Sequence, residues 1–163
     1  PSRLNLTLVL LNHLRKKYRV LRDTNISIIE TLWSEHSDEI THIRNIVFVE
    51  EQCVPKNIEM DGKDLDCNHF LICKKNEPIG TARLQSGGKI ERVSILKTER
   101  KKGLGTKLMK FIINSARKKD LEKVYLHSQM DSIDFYKSLG FKTKGGMFQE
   151  AGIKHVLMVM ENE

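Results

Sequence analysis

The sequence predicts one α/β domain built on a single mixed sheet, and three observations point there. Segments with the two-residue alternation of strands take turns with segments whose apolar residues recur at helical spacing. Three of the strands lie so close together that only hairpin turns fit between them. The chain of 163 residues, with no internal repeat and no low-complexity stretch, suits one hydrophobic core.

Residues 1–25 stand apart as an N-terminal extension, and residues 26–163 form the predicted domain. "LNLTLVLLNHLRKKYRV" reads either as a short helix with a basic end or as an arm packed on a partner. Its apolar run, "LTLVLL", is far too short to span a bilayer, so no membrane role is expected. The sequence begins at Pro1, which leaves an upstream targeting segment open.

From Ile26 the elements follow in turn. "ISIIETLW" (26–33) has the β-branched enrichment of a strand. "SEHSDEITHIRNIVFVEEQ" (34–52) opens on capping residues and spaces Ile40, Ile43, Val47 and Phe48 helically. An acidic connection, "VPKNIEMDGKDLD" (54–66), carries the Pro and Gly of a loop. "HFLICK" (69–74), "PIGTARLQ" (78–85) and "KIERVSIL" (89–96) are strands joined by the turns "KNE" and "SGG". A helix follows Gly105, with Leu108, Phe111, Ile112 and Ala116 on one face. "KVYLHSQ" (123–129) is a strand, "DSIDFYKSL" (131–139) a helix closed by Gly140, and "HVLMVME" (155–161) the last strand.

The net charge of +7 favours an anionic partner. Aromatic residues make up only 6% of the chain and no stacking motif for single-stranded nucleic acid is present; a phosphorylated small molecule fits the charge as well as nucleic acid does, and no nucleic-acid partner is expected. Cys53, Cys67 and Cys73 form no CxxC pair and no Cys/His metal spacing; they read as half-buried thiols in a reducing, cytoplasmic setting, with no metal expected.

"LKTERKKGLGTKLM" (96–109) carries the main chemical signal. A strand feeding a glycine loop into a helix leaves unpaired N–H groups at the positive end of the helix dipole. Such an end binds anions, and Gly103 and Gly105 let a phosphate approach the main chain without a Cβ in the way. Arg100, Lys101, Lys102 and Lys107 add positive charge. The plain alternative is a solvated basic turn with glycine caps. Neither the GxxxxGK[ST] nor the GxGxxG spacing is present, which argues against a nucleotide P-loop or a dinucleotide fold.

"RKKGLG" has the form R-x-x-G-x-G and resembles the acyl-CoA site of the GNAT superfamily of N-acyltransferases. "ERVSIL" resembles that family's fourth strand, and "DFYKSLGF" (134–141) its late Y-x-x-L-G-F signature. The resemblance spans roughly residues 26–160. It implies a mixed, mainly antiparallel, splayed sheet flanked by helices, and acetyl-CoA as co-substrate in N-acetyl transfer.

By the same resemblance, Arg100, Lys101, Lys102, Gly103, Leu104, Gly105 and Thr106 hold the CoA pyrophosphate through their amides. Val93, Ser94 and Ile95 line the pantetheine and offer a donor to the thioester oxygen. Gln129 stands where the family often has an Asn that contacts CoA. Tyr136 falls on the general-acid position; a phenol of ordinary pKa near 10 can protonate a departing thiolate. His127 and Glu91 are the candidates for the base. The three cysteines have no activating neighbour in the sequence, so direct attack in a ternary complex is expected.

The acceptor signals conflict. Glu50 and Glu51, with Glu59, Asp61, Asp64 and Asp66, form an acidic stretch suited either to a polyamine or lysine side chain, or merely to water. Arg83 and Arg92 lie inside predicted strands, where a charge needs a partner. They either grip a phosphorylated acceptor or pair with Glu91 and an Asp of the acidic loop. "IRNIVFVEEQCVP", "GTARL" and "LHSQ" together resemble glucosamine 6-phosphate N-acetyltransferases of apicomplexan type. A polyamine or protein-lysine acetyltransferase is the alternative, and a CoA-binding module without turnover is a third. A homodimer is the one assembly left open.

Overall fold

The computed structural model describes residues 25–161. Of the expected N-terminal extension, residues 1–24 lie outside the described residues.

Ile26–Thr31 forms strand β1, and Trp33–Arg44 forms helix α1. The helix begins earlier than its Ser34 suggests. The carboxylate of Glu35 reaches back to accept from the Thr31 hydroxyl at 2.8 Å and the Leu32 amide at 3.3 Å, satisfying a donor at the helix start. α1 runs into a wider, π-type segment over Asn45–Glu51. The acidic connection contains a short helix, α2 (Lys56–Glu59), and a 3-10 turn over Asp64–Asp66. Cys67–Lys74, Glu77–Gln85 and Ile90–Ile95 are strands β2, β3 and β4. Helix α3 is Leu104–Lys118, β5 is Lys123–Gln129 and α4 is Ile133–Ser138. Lys142–Glu150 and Ile153–Glu161 close the described chain as β6 and β7.

The strands divide into two antiparallel sheets, β1-β2-β3-β4 and β5-β7-β6. Their only ladder contact among the described residues is one parallel bridge, Lys89 to Tyr125, where the Tyr125 amide donates to the Gly88 carbonyl at 3.0 Å. β4 and β5 meet at their N-terminal ends and part beyond that point. The expected single sheet is therefore split, in the splayed manner the sequence signature implies.

Helices cover both faces. Alternation along β2 sends Phe70 and Ile72 into one apolar cluster with Leu108, Met109, Ile112 and Ala116 of α3, and Leu71 into another with Ile40, Ile43 and Val47. Phe111, expected on the buried face of α3, is 37% exposed and meets Phe70 only edge-on; Met109 and Ile113 take the buried positions instead. β6 has no counterpart among the predicted strands. It is an edge strand with nearly every residue exposed, and it bulges between Lys144 and Met147, so no alternation marks it. Ala151 (φ +50°) and Gly152 (φ +74°) make the tight turn into β7.

Candidate functional site

Where β4 and β5 part they leave a groove of about 600 Å³. Open α/β sheets place ligands in this kind of crevice, beyond the carboxyl ends of diverging strands. β4 supplies one wall through Val93, Ser94 and Ile95, and β5 the other through Leu126, His127 and Gln129.

β4 is not regular. Thr81 stands opposite Ser94 and Arg83 opposite Glu91, so Arg92 and Val93 together face Ala82. Arg92 adopts a left-handed φ of +56° to make this bulge. An extra residue leaves main-chain groups without a ladder partner on the strand that lines the groove.

Arg100, the residue that opens the basic glycine loop, lines the groove. Gly103 has φ +74°, and a Cβ built on it would meet nothing within 4 Å, so the loop uses glycine for its backbone conformation and stays open beside it. Gly105 serves packing: a Cβ there would press on the Phe135 ring at 3.4 Å. No side chain caps α3. The first amide with a described partner is that of Lys107, bonded to the Gly103 carbonyl at 3.1 Å, so the N–H groups of Lys101 to Thr106 have none among the described residues. That is the free donor cluster an anion needs.

The cations around the loop behave differently from one another. Arg100 is already engaged: its Nε donates to the Ile95 carbonyl at 2.8 Å, and Nη1 and Nη2 fork onto Glu51 at 2.5 and 2.8 Å. That bond, above all, draws the Glu51 carboxyl below its ordinary value. Arg100 thus braces the loop against the π-type segment. Lys102 folds onto the Thr98 carbonyl and Glu99. Lys101 and Thr106 have no described side-chain partner.

Tyr136 and His127 both line the groove. The Tyr136 ring is wedged edge-on between Phe135 and Phe141, and burial pushes its phenol up to about 12. The hydroxyl has no described partner and keeps its proton at neutral pH. His127 Nδ1 lies 2.8 Å from Glu150 Oε2, and its ring meets Phe148 edge-on. Gln129 Nε2 donates to Gln52 Oε1 at 2.9 Å, clasping β5 to the end of the π-type segment.

Glu91 fits the base role poorly. Burial pushes its carboxyl up, but the Lys89 bond, the Arg83 charge and the Gln85 bond outweigh this and hold it at about 2. A carboxylate so stabilised is a weak proton acceptor.

A largely buried ionic network borders the groove, with Glu59, Asp61, Glu91 and Arg92 among its lining residues. Arg83, wholly buried, donates to both Asp61 oxygens at 2.8 and 2.5 Å, to Asp64 at 2.9 Å and to Glu91 at 2.9 Å. Arg44 binds Glu59 at 2.5 Å and Asp64 at 2.7 Å. These bonds and the neighbouring carboxylates raise Arg83 further despite burial, and hold Asp61 well below the usual carboxylate range. Of the two readings for Arg83, pairing therefore wins, and it has no donor left for a phosphate. Arg92 is paired too: its Nε sits 2.9 Å from Glu59, and Nη2 reaches the Ile58 and Glu59 carbonyls at 3.2 Å and Asp61 at 3.4 Å, while Nη1 has no described partner. Glu50 and Glu51 do not line the groove.

Gln52, Glu150 and His155 line the groove without having been anticipated. The stretch "EAGIKH", a tight turn between two polar strand ends, was the available signal. All three cysteines are free; Cys67 is buried, Cys73 half-buried, and Cys53 exposed rather than half-buried. Burial pushes the Cys67 and Cys73 thiols up, away from thiolate chemistry. Among the described residues no group of three or more His, Cys, Asp or Glu is arranged to hold a metal ion, and no helix is long and apolar enough to cross a membrane.

The family profile described as "Acetyltransferase (GNAT) domain" matches residues 35–162. The chain belongs to the GNAT acetyltransferase family. A Bacillus subtilis protein whose name describes an acetyltransferase is 39% identical over 127 residues, spanning 74% of this chain and 86% of that one. Protein ElaA of Escherichia coli is 33% identical over 131 residues, spanning 75% of this chain and 85% of ElaA. The crystal structure of ElaA superposes with a TM-score of 0.76, covering 83% of this chain and 99% of that one at 28% identity. A GNAT acetyltransferase from Elizabethkingia anophelis, solved with acetyl-CoA bound, shares the fold at a TM-score of 0.65 and 16% identity, with 85% and 99% covered. This chain is thus a GNAT acetyltransferase, and its described residues include a splayed groove and a helix start with unpartnered amides.

Proposed function

We propose that this acetyltransferase moves the acetyl group of acetyl-CoA onto the primary amine of a small molecule, by direct attack in a ternary complex. One observation carries the reading: a single groove is lined by Tyr136, His127 and Arg100, and Arg100 opens directly into the loop of unpaired main-chain donors. In this reading the amides of Lys101 to Thr106 hold the pyrophosphate, and the bulged strand at Val93, Ser94 and Ile95 lines the pantetheine. His127 takes the proton the amine must lose, and Tyr136 gives one to the departing thiolate. Gln129, tied to Gln52, borders the cofactor's path.

The charge inventory argues against a polycation as acceptor. Glu51 is spent on Arg100, Glu59 and Asp64 on Arg44, and Asp61 on Arg83. Little free negative charge is left to hold a polyamine. Lys63 has no described ion pair, and Arg92, though paired with Glu59 and Asp61, keeps Nη1 without a described partner; both line the groove, which favours a phosphorylated amine and makes glucosamine 6-phosphate the first acceptor to test.

The decisive assay follows thiol release from acetyl-CoA with glucosamine 6-phosphate, glucosamine, spermidine and a lysine peptide. Release with spermidine or the peptide alone overturns the acceptor class. Binding of acetyl-CoA with no release for any amine makes the domain a binding module. Arg92→Gln is expected to raise KM for glucosamine 6-phosphate about tenfold, the value of one lost charged hydrogen bond, and to leave KM for acetyl-CoA unchanged.

Gly103→Asp tests the cofactor end. Asp tolerates a left-handed φ better than most residues, and open space receives its side chain, so the fold survives. Its carboxylate then stands where the pyrophosphate is expected. Calorimetry should show acetyl-CoA affinity falling at least about tenfold with little change in Tm.

A further inference from the structure

The β6–β7 hairpin, which the sequence hid, brings a second ionisable side chain against His127. Glu150 stands opposite Ile153 in the ladder, whereas His127 stands opposite Leu157 on the far side of β7. Register alone would not bring the two together. The hairpin tip curls over the sheet face, and Glu150 Oε2 comes to 2.8 Å from His127 Nδ1. Phe148, two residues before Glu150, buttresses the same ring edge-on at 4.8 Å and stacks on His155 at 6.1 Å.

We infer that Glu150 is a positioning residue for His127: it holds the imidazole with its proton on Nδ1, leaving the Nε2 lone pair to accept the amine's proton. This rests on the reading of His127 as the base. A carboxylate is acceptor-only, so a 2.8 Å bond to it requires Nδ1 to donate, and Nε2 has no described partner. When Nε2 takes the proton the ring becomes a cation, and Glu150 offsets that charge beside it. The amine nitrogen bonds the acyl carbon, the carbon–sulfur bond breaks, and the sulfur takes the Tyr136 proton. The proton on His127 then passes to water and Tyr136 takes one back from water, which restores both side chains.

The groups around the pair fit this division of labour. Burial pushes the Glu150 carboxyl up, but the His127 bond and the charges of His127, Lys89 and His155 prevail and keep it below its ordinary value. Glu150 therefore stays ionised and is a poor base itself. Lys89 comes from the β3–β4 turn, where it also binds Glu91 of β4 at 2.8 Å; His155 comes from β7, with Nδ1 2.8 Å from the Ile153 carbonyl; Tyr136 faces the groove from α4.

The test compares Glu150→Gln, Glu150→Ala and His127→Ala with the parent protein. Nitrogen NMR of the His127 ring should show the neutral form protonated on Nδ1 in the parent and a mixture of both tautomers in Glu150→Ala. That readout needs no acceptor. With the best acceptor of the amine panel, Glu150→Ala should lower kcat about tenfold or more. Glu150→Gln keeps an acceptor oxygen for Nδ1–H, so it should preserve the Nδ1-protonated tautomer and lose less kcat than Glu150→Ala. An unchanged tautomer in Glu150→Ala overturns the proposal, whatever the enzyme does. A tautomer change with kcat intact, while His127→Ala is inactive, also overturns it and leaves the base reading standing. A fully active His127→Ala with an unaltered pH profile removes both.

Discussion

Replacing Arg83 by Met is expected to destabilise the domain by about 3–5 kcal/mol, the usual cost of removing one partner from a buried ion network. The side chain is wholly buried and serves Asp61, Asp64 and Glu91 at once. Met fills much of its volume, so a cavity is not the main cost; three carboxylates losing a cation is. For a chain of this size that loss lowers Tm by roughly 6–20 °C. Urea or thermal unfolding measures it directly. A loss below about 1 kcal/mol would mean that the network contributes little, and would reopen Arg83 as a group that turns toward a phosphorylated acceptor.

The same variant has a pH signature. The ordinary Glu pKa is 4.5, and in the fold Glu91 is held at about 2. A carboxylate depressed by folding contributes stability that is present above pH 4.5 and is lost as pH falls toward 2. Arg83→Met leaves Glu91 with Lys89 and Gln85 but without the guanidinium, so its folded value climbs back toward 4.5. The gap between parent and variant should be widest above pH 4.5 and shrink on acidification. Asp61, held lower still by the same arginine, extends that shrinkage further into acid. Glu59 works the other way. Burial raises it against Arg44, Arg92 and Arg83, so protonating it at low pH relieves strain in both proteins, and more so in the variant, which has lost one of those cations.

Local signals carried the sequence reading a long way. The start of α3 was legible because glycine, helix periodicity and positive charge all act within a few residues. Six of the seven strands showed themselves through alternation or β-branched runs, which reflect one buried face. β6 did not, because an exposed edge strand with two adjacent glycines buries no face and leaves no period. The division of labour among the charges was also hidden. Arg83 and Arg92 sit on neighbouring strands and look alike in sequence, yet Arg83 is wholly buried against Asp61 and Asp64 while Arg92, on a bulge, lines the groove. Partners 19 to 22 residues away decide that, and no local pattern encodes them. Glu150 was missed for the same reason. Its meeting with His127 depends on the curl of a hairpin that had not been recognised.

Tyr136→Phe should lower kcat about 100-fold, near the low end of what a positioned general acid supplies, with acetyl-CoA affinity and stability nearly unchanged. The ring's packing against Phe135 and Phe141 does not involve the hydroxyl, and Phe preserves both edge contacts. What disappears is one proton, held firmly because burial pushes the phenol up to about 12. The acid form therefore persists across the working pH range, and no basic limb from Tyr136 should appear below about pH 10. The departing thiol is the same for every acceptor, so the deficit should be the same size with each active amine. That separates Tyr136 from Arg92, whose loss acts on KM for one acceptor class. A variant with the parent's kcat would show that the thiolate leaves with a proton from water, and would reduce Tyr136 to a ring that packs the groove wall.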